Sequence, residues 1–249
     1  MFEPFKKPHI LIAHRGYRAI APENTIYAFS LALGKFDMFE FDVRFTKDNI
    51  PIVFHDDNLL RCTNAKDIYN KDSYFVKDFT YEELKKLDNV SWFYKTNPFN
   101  MKLSSPPKEK NAIPTLYEVL DFIKKTGFYA NLEIKHSHLP EEEVKKIVFS
   151  AIREYGLERM IIISSFNHQY IKKIPFYSAP LFEKKAPDNI KRYLLEIEAD
   201  AYHIDKTLAD EKVIKELKSV GIVTNVYTVN VEREKFFKKG VKGVFCDFL

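Results

Sequence analysis

Cysteine is nearly absent: Cys62 and Cys246 are the only two among 249 residues and stand far apart, so neither a disulfide framework nor a thiolate metal site is suggested. A reducing, cytoplasmic setting is the simplest expectation. Long hydrophobic runs are missing too. After Lys6 and Lys7 the apolar stretch Ile10 to Ala13 ends at His14-Arg15, too short for a secretory h-region or a membrane span. The expectation is a soluble chain that is not exported and has no stable membrane association. Excess charge of one sign is also lacking: 39 basic against 35 acidic residues leave a net of +4, spread along the chain. That is too mild and too dispersed for a nucleic-acid groove. No internal repeat is visible.

What the chain does have is alternation. Apolar, β-branched runs at His9 to His14, Met38 to Phe45, Tyr129 to Lys135, Met160 to Ser165, Ala179 to Glu183, Ala201 to Ile204, Ile222 to Thr228 and Gly243 to Cys246 give eight strand candidates. Amphipathic stretches lie between them: Thr25 to Gly34, Leu116 to Lys125, Glu141 to Tyr155, Gln169 to Ile174, Ile190 to Glu198, Asp210 to Val220 and Glu232 to Lys239. In the third, Val144, Ile147, Val148 and Ile152 recur at helical spacing while Lys145, Lys146 and Arg153 take the other face. Strands alternating with helices predict an α/β fold with parallel strands joined by crossovers. The length is close to the roughly 250 residues of a closed β/α barrel, so one domain over residues 1–249 is expected.

One region breaks the pattern. From about Asp56 to Ala112 there is no clean strand-helix unit, only a helix candidate at Tyr81 to Leu87 and a segment rich in Lys, Asn, Pro and aromatic residues. Residues 57–112 are therefore expected to form an inserted cap, because Trp92, Phe93, Tyr94 and Phe99 need burial. Its most mobile part is expected at Lys102 to Lys110.

The chemistry-bearing residues gather at strand ends. Glu40 and Asp42 are two apart on a strand, so their side chains share a face while Phe39, Phe41 and Val43 take the other. Carboxylates held this close repel unless a cation or proton sits between them. Asn131, Glu133 and Lys135 repeat the spacing, and an all-oxygen donor set suits Mg²⁺ or Ca²⁺ better than zinc. The plainer alternative is that these acids are solvated, or paired with Arg44 and Lys135. His14 and His55 each end an apolar run, where a near-neutral imidazole can take or give a proton; a half-buried, hydrogen-bonded histidine is the alternative. Arg15 offers a planar fork that matches a phosphate, or else compensates the acids. Glu23 and Asn24 stand where a substrate could be gripped, or where the helix beginning near Thr25 is capped. Of the other histidines, only His203, at the end of a strand candidate, stands out.

With these residues placed, the chain resembles the glycerophosphodiester phosphodiesterase family. The matching pieces include His14-Arg15-Gly16, Pro22-Glu23-Asn24-Thr25, Glu40-Phe41-Asp42-Val43, Pro51 to Asp56, Arg61-Cys62-Thr63, Leu132-Glu133-Ile134-Lys135, Ser164-Ser165-Phe166 and Tyr227-Thr228-Val229-Asn230, in the family's order. The resemblance implies a TIM-type (βα)8 barrel with a small inserted cap subdomain after the second βα region. It also implies a divalent cation, Mg²⁺ or Ca²⁺, on Glu40, Asp42 and Glu133, with His14 and His55 as general acid and base. Arg15 and Lys135, with Glu23 and Asn24, would hold the substrate and its phosphate. The implied reaction is hydrolysis of small-molecule glycerophosphodiesters, such as glycerophosphocholine or glycerophosphoethanolamine, to sn-glycerol 3-phosphate and an alcohol. In it the glycerol 2-hydroxyl displaces the alcohol and water opens the resulting cyclic phosphate.

Two departures stand out. Tyr227 occupies a position where the family often has Trp, a change on the pocket wall, and Cys246-Asp247-Phe248-Leu249 replaces the family's frequent Thr-Asp-x-Pro, which bears on the role of Asp247. Two alternatives accompany the leading reading. The first is lysophospholipase D-type hydrolysis with the Trp92 to Phe99 aromatics on an acyl chain, the plainer role of these rings being the cap's own core. The second is a barrel that binds phosphoesters without turnover, against which stands the full set of metal-ligand and acid/base candidates.

Overall fold

The computed structural model describes residues 1–249. One sheet contains β1 (Ile10–Ala13), β2 (Met38–Phe45), β3 (Pro51–Val53), β4 (Ala130–Ile134), β5 (Ile161–Ser165), β6 (Tyr177–Phe182), β7 (Ala201–Asp205), β8 (Val223–Tyr227) and β9 (Gly243–Cys246). All except β3 pair in parallel, and pairing of β1 with both β2 and β9 closes the eight into a TIM barrel. β3 runs antiparallel to β2, with Val43 opposite Val53 and Phe45 opposite Pro51. This hairpin is absent from the eight expected strands because three residues are too few to show a period of two.

The helices are α1 (Ile26–Ala32), α2 (Ala65–Ile68), α3 (Tyr81–Leu84), α4 (Ser91–Thr96), α5 (Leu116–Thr126), α6 (Glu141–Tyr155), α7 (Ile190–Glu196), α8 (Glu211–Ser219) and α9 (Arg233–Lys238). α5 opens on a capping box in which the Thr115 hydroxyl accepts from the Glu118 amide and the Glu118 carboxylate accepts from the Thr115 amide. Two expectations need correction. Gln169 to Ile174 is not an α-helix: the chain makes a single 3-10 turn at His168–Tyr170, and left-handed Lys173 and Pro175 then stop it. β6 starts at Tyr177, ahead of the expected Ala179.

The two faces of the strands divide the interior. Phe39, Phe41 and Val43 point outward into a cluster of 29 buried residues that includes Val119 and Ile123 of α5 and Val148 and Ile152 of α6. Inward, Ile10, Ile12, Met38, Ile162, Ala179, Ala201 and Phe245 fill the lower barrel, and Phe2 and Phe5 of an N-terminal 3-10 turn close its floor. Two residues further along the same inward faces the layer turns polar. Glu40, Asn131, Ser164, His203 and Asn225 are all buried there. Asn131 Nδ2 donates to Ser164 Oγ at 2.9 Å, and Asn225 Nδ2 lies 2.9 Å from His203 Nε2.

Between β3 and α5 lie α2, a 3-10 turn at Val76–Asp78, α3 and α4. Leu59, Cys62, Ala65, Val76, Phe79, Leu84 and Leu87 of this segment pack with Ile52 and Phe54 of the hairpin in a cluster of their own. No helix of the chain is long and apolar enough to cross a membrane.

Candidate active site

The turn after β1 sets the site. Arg15 and Asn24 both adopt left-handed backbone conformations, with φ of 56° and 57°, and Asn24 N donates to Arg15 O at 3.0 Å. Such residues are held only where surrounding bonds over-determine them. Here the Arg15 amide donates to Glu40 Oε2 at 2.7 Å. Gly16, at φ 80°, lies against α1: a Cβ there would sit 2.8 Å from the carbonyl carbon of Ala28. Glycine is therefore the residue that lets this turn dock on the helix.

The three acids meet at the strand ends. Asp42 and Glu133 are register partners of β2 and β4, and ligand oxygens of Glu40, Asp42 and Glu133 lie within 4.8 Å of one another, all buried. Burial and the neighbouring carboxylates Asp42 and Glu133 push Glu40 well above the usual carboxylate range. Burial acts the same way on Asp42, but Lys135, His55 and Arg15, with the hydrogen bond from Asn24, outweigh it and hold this carboxyl well below the usual range. The cluster thus concentrates negative charge that its cations do not balance evenly.

Asn24 does not cap α1, whose N-cap is Thr25, with Oγ1 accepting from the Ala28 amide. Its side chain instead grips Asp42: Nδ2 donates to Asp42 Oδ2 at 2.7 Å and Oδ1 accepts from the Asp42 amide at 3.2 Å. Lys135 Nζ is 2.9 Å from Asp42 Oδ1 and also contacts Glu133. Despite that ion-pair contact, Asp42 Oδ1 is buried and accepts no hydrogen bond of good geometry. Three buried carboxylates that share a single lysine, with no sulfur or nitrogen donor in the group, fit a hard divalent cation.

Each candidate histidine rests on an aspartate. His14 Nδ1 is 2.8 Å from Asp247 Oδ1, and His55 Nδ1 is 2.7 Å from Asp56 Oδ1. The Nε2 of both rings is left without a protein partner. Burial, reinforced by Arg15 and Arg18 and only partly opposed by Asp247, brings His14 down to about 4, so this imidazole is neutral at working pH. Asp247 is itself pinned: Asn230 Nδ2 donates to Oδ2 at 2.8 Å, and its own amide donates to Asn230 Oδ1 at 2.7 Å.

Glu23 sits among three guanidiniums, from Arg15 at 2.9 Å, Arg18 at 2.8 Å and Arg61 at 2.6 Å, which hold it far below the usual range despite burial. Arg61 also grips Asp56 at 2.6 Å, so one side chain ties the arginine cluster to the aspartate behind His55. Trp92 lies 5.6 Å from the Arg61 guanidinium and Phe99 5.3 Å from that of Arg18. Phe93 is buried, edge-on to Trp92 and Tyr94. Arg18, Asp56, Arg61 and Asp247 were not among the expected site residues. Asp56 and Arg61 stand within the matched motifs, but nothing local shows which charges they meet. His203 is fully buried in the polar barrel layer that also holds Glu40, where it meets Asn225.

The model of the glycerophosphoryl diester phosphodiesterase family matches residues 14–249. A glycerophosphodiester phosphodiesterase of Caldanaerobacter subterraneus subsp. tengcongensis is 34% identical over 246 residues, covering 96% of this chain and 93% of the relative. Among solved structures, an Oleispira antarctica phosphodiesterase in complex with its product sn-glycerol-3-phosphate is similar with a TM-score of 0.80 at 28% identity, covering 96% of this chain and 93% of that one. A Silicibacter pomeroyi structure with a TM-score of 0.84 at 20% identity, covering 100% of this chain and 95% of that chain, shows the shared fold.

Proposed function

The chain belongs to the glycerophosphoryl diester phosphodiesterase family, and from that premise we propose that it hydrolyses glycerophosphodiesters to sn-glycerol 3-phosphate and an alcohol, using His14 and His55 as its proton-transfer pair. The observation that carries this reading is the buried Glu40, Asp42 and Glu133 group, set between two histidine–aspartate pairs and beside Arg15 and Lys135. The product bound by the Oleispira relative supports the glycerol phosphate half of the substrate.

Glu40, Asp42 and Glu133 would hold the cation, Mg²⁺ or Ca²⁺, which when bound neutralises a phosphodiester oxygen as a Lewis acid. Arg15 and Lys135 orient the phosphate and offset charge that grows on its oxygens as the nucleophile arrives. Asn24 keeps Asp42 aimed, and Glu23 gathers Arg15, Arg18 and Arg61 into one rigid cluster; neither touches substrate in this scheme. His14 is neutral, and with Nδ1–H donated to Asp247 its Nε2 lone pair takes the proton of the attacking glycerol 2-hydroxyl. His55, held by Asp56, gives its Nε2 proton to the departing alkoxide. Water then opens the cyclic phosphate with the two roles exchanged. Residues 57–112 serve as a cap whose Trp92 and Phe99 brace the arginine cluster. The two buried free cysteines suit a reducing cytoplasm.

The test follows release of sn-glycerol 3-phosphate from glycerophosphocholine, glycerophosphoethanolamine and glycerophosphoserine. Chelation should abolish turnover, and Mg²⁺ or Ca²⁺ should restore it. His14→Ala and His55→Ala should each lose about 10²- to 10⁴-fold in kcat. A nitrophenol ester, whose leaving group needs no proton, should restore the first step, read as nitrophenol release, in His55→Ala and not in His14→Ala. Rescue of both, or of neither, would overturn the assignment.

A further inference from the structure

Beside the acid cluster is a cavity of about 350 Å³ that no role above uses. Phe45 and Val76 are its buried apolar lining, and Arg44, Asp57, Lys77 and His136 bring polar groups to it. Its position relates it to the reaction. Arg44 follows Asp42 by two on the inward face of β2, and its Nε donates to the backbone oxygen of His55 at 2.6 Å. His136 also lines the recess formed by Glu133 and Lys135. The cavity thus adjoins the recess of Glu133 and Lys135 through His136 and, through Arg44, the chain segment that carries His55, the residue assigned to the departing alcohol.

The charges of this cavity are unusual. Arg44 is half-buried, yet no carboxylate lies within 4.0 Å of its guanidinium, whose one hydrogen bond within the protein is that of Nε. Buried arginines elsewhere in the site are all ion-paired, as Arg15 and Arg18 are. Asp57 lines the same cavity without pairing to Arg44. A cation and an anion that share a cavity without touching leave room for a guest with the opposite order of charges. Glycerol is uncharged, so of the two arms of a glycerophosphodiester only the alcohol can supply such charges.

Resting on the phosphodiesterase reading above, we propose that this cavity is the subsite for the alcohol and selects alcohols that carry a carboxylate next to an ammonium, the serine-type head group. The carboxylate is received by Arg44, assisted by Lys77, and the ammonium by Asp57. A choline arm brings only a cation, which Asp57 receives while Arg44 and Lys77 gain no partner and repel it.

The experiment compares kcat/KM for glycerophosphoserine and glycerophosphocholine in the parent, Arg44→Gln and Lys77→Gln proteins, the two variants that remove a partner of the carboxylate. The ratio is read, so any loss common to both esters cancels. The parent should favour the serine ester by about tenfold, the lower range for a charge-assisted hydrogen bond, and each variant should bring the ratio toward one. Lys77 is exposed, so its variant keeps the test valid even if Arg44→Gln fails to fold. Preference of the parent for choline, or a ratio that neither variant moves, overturns the proposal. If the parent hydrolyses neither ester nor glycerophosphoethanolamine with either cation, the substrate reading itself fails, and this inference with it.

Discussion

His203 offers a quantitative test of the barrel interior. It is fully buried, shares one hydrogen bond with Asn225 through Nε2, and its Nδ1 has no partner. Burial brings it down to about 3 in the folded protein, from an ordinary value near 6.5. Because the folded value is the lower one, the unfolded chain binds the extra proton first. The stability tied to the neutral ring is fully present above about pH 6.5 and is lost as pH falls toward 3. Between about pH 7 and about pH 5, linkage puts that loss at roughly 2 kcal/mol, with a slope approaching 1.4 kcal/mol per pH unit. Urea unfolding of the parent and His203→Gln across this range measures it. Glu40, His14 and the other titrating groups are common to both proteins and cancel in the difference, so the two stability curves should converge or cross as the solution is acidified. Parallel curves would refute the claim that an unprotonated imidazole is built into this layer.

Other consequences follow from the site. Gly16→Ala places a Cβ 2.8 Å from Ala28 at a φ of 80°, and should destabilise by at least about 2 kcal/mol, lowering Tm by roughly 4–8 °C in calorimetry. Asn24→Ala frees Asp42 from its only side-chain hydrogen bond and should weaken cation affinity about 10- to 100-fold in a direct titration, with the fold intact by circular dichroism. Asp247→Asn removes the carboxylate behind His14 and should lower kcat about 100-fold or more while leaving cation affinity unchanged. An equal loss in both quantities would place Asp247 in the structure of the site and not in proton transfer.

Much of this protein is decided by local pattern. The period of two in Phe39-Glu40-Phe41-Asp42 alone assigns the acids to one face and the rings to the other, because side-chain direction is a property of the extended backbone. Helix spacing in Val144, Val148 and Ile152 does the same for α6. Motifs at His14, Glu40, His55 and Glu133 point to the chemistry by resemblance. Neighbourhood, however, is a product of barrel closure. Asp42 meets Glu133 because β2 pairs with β4, and His14 meets Asp247 because Ala13 pairs with Cys246 across β1 and β9. Glu23, Arg61 and Asp56 join only when the segment after β3 folds back over the strand ends. Long-range pairing of this kind leaves no periodic trace in the chain, so the groups proposed to react are legible in sequence, whereas their partners and the charge each one carries are set by tertiary structure.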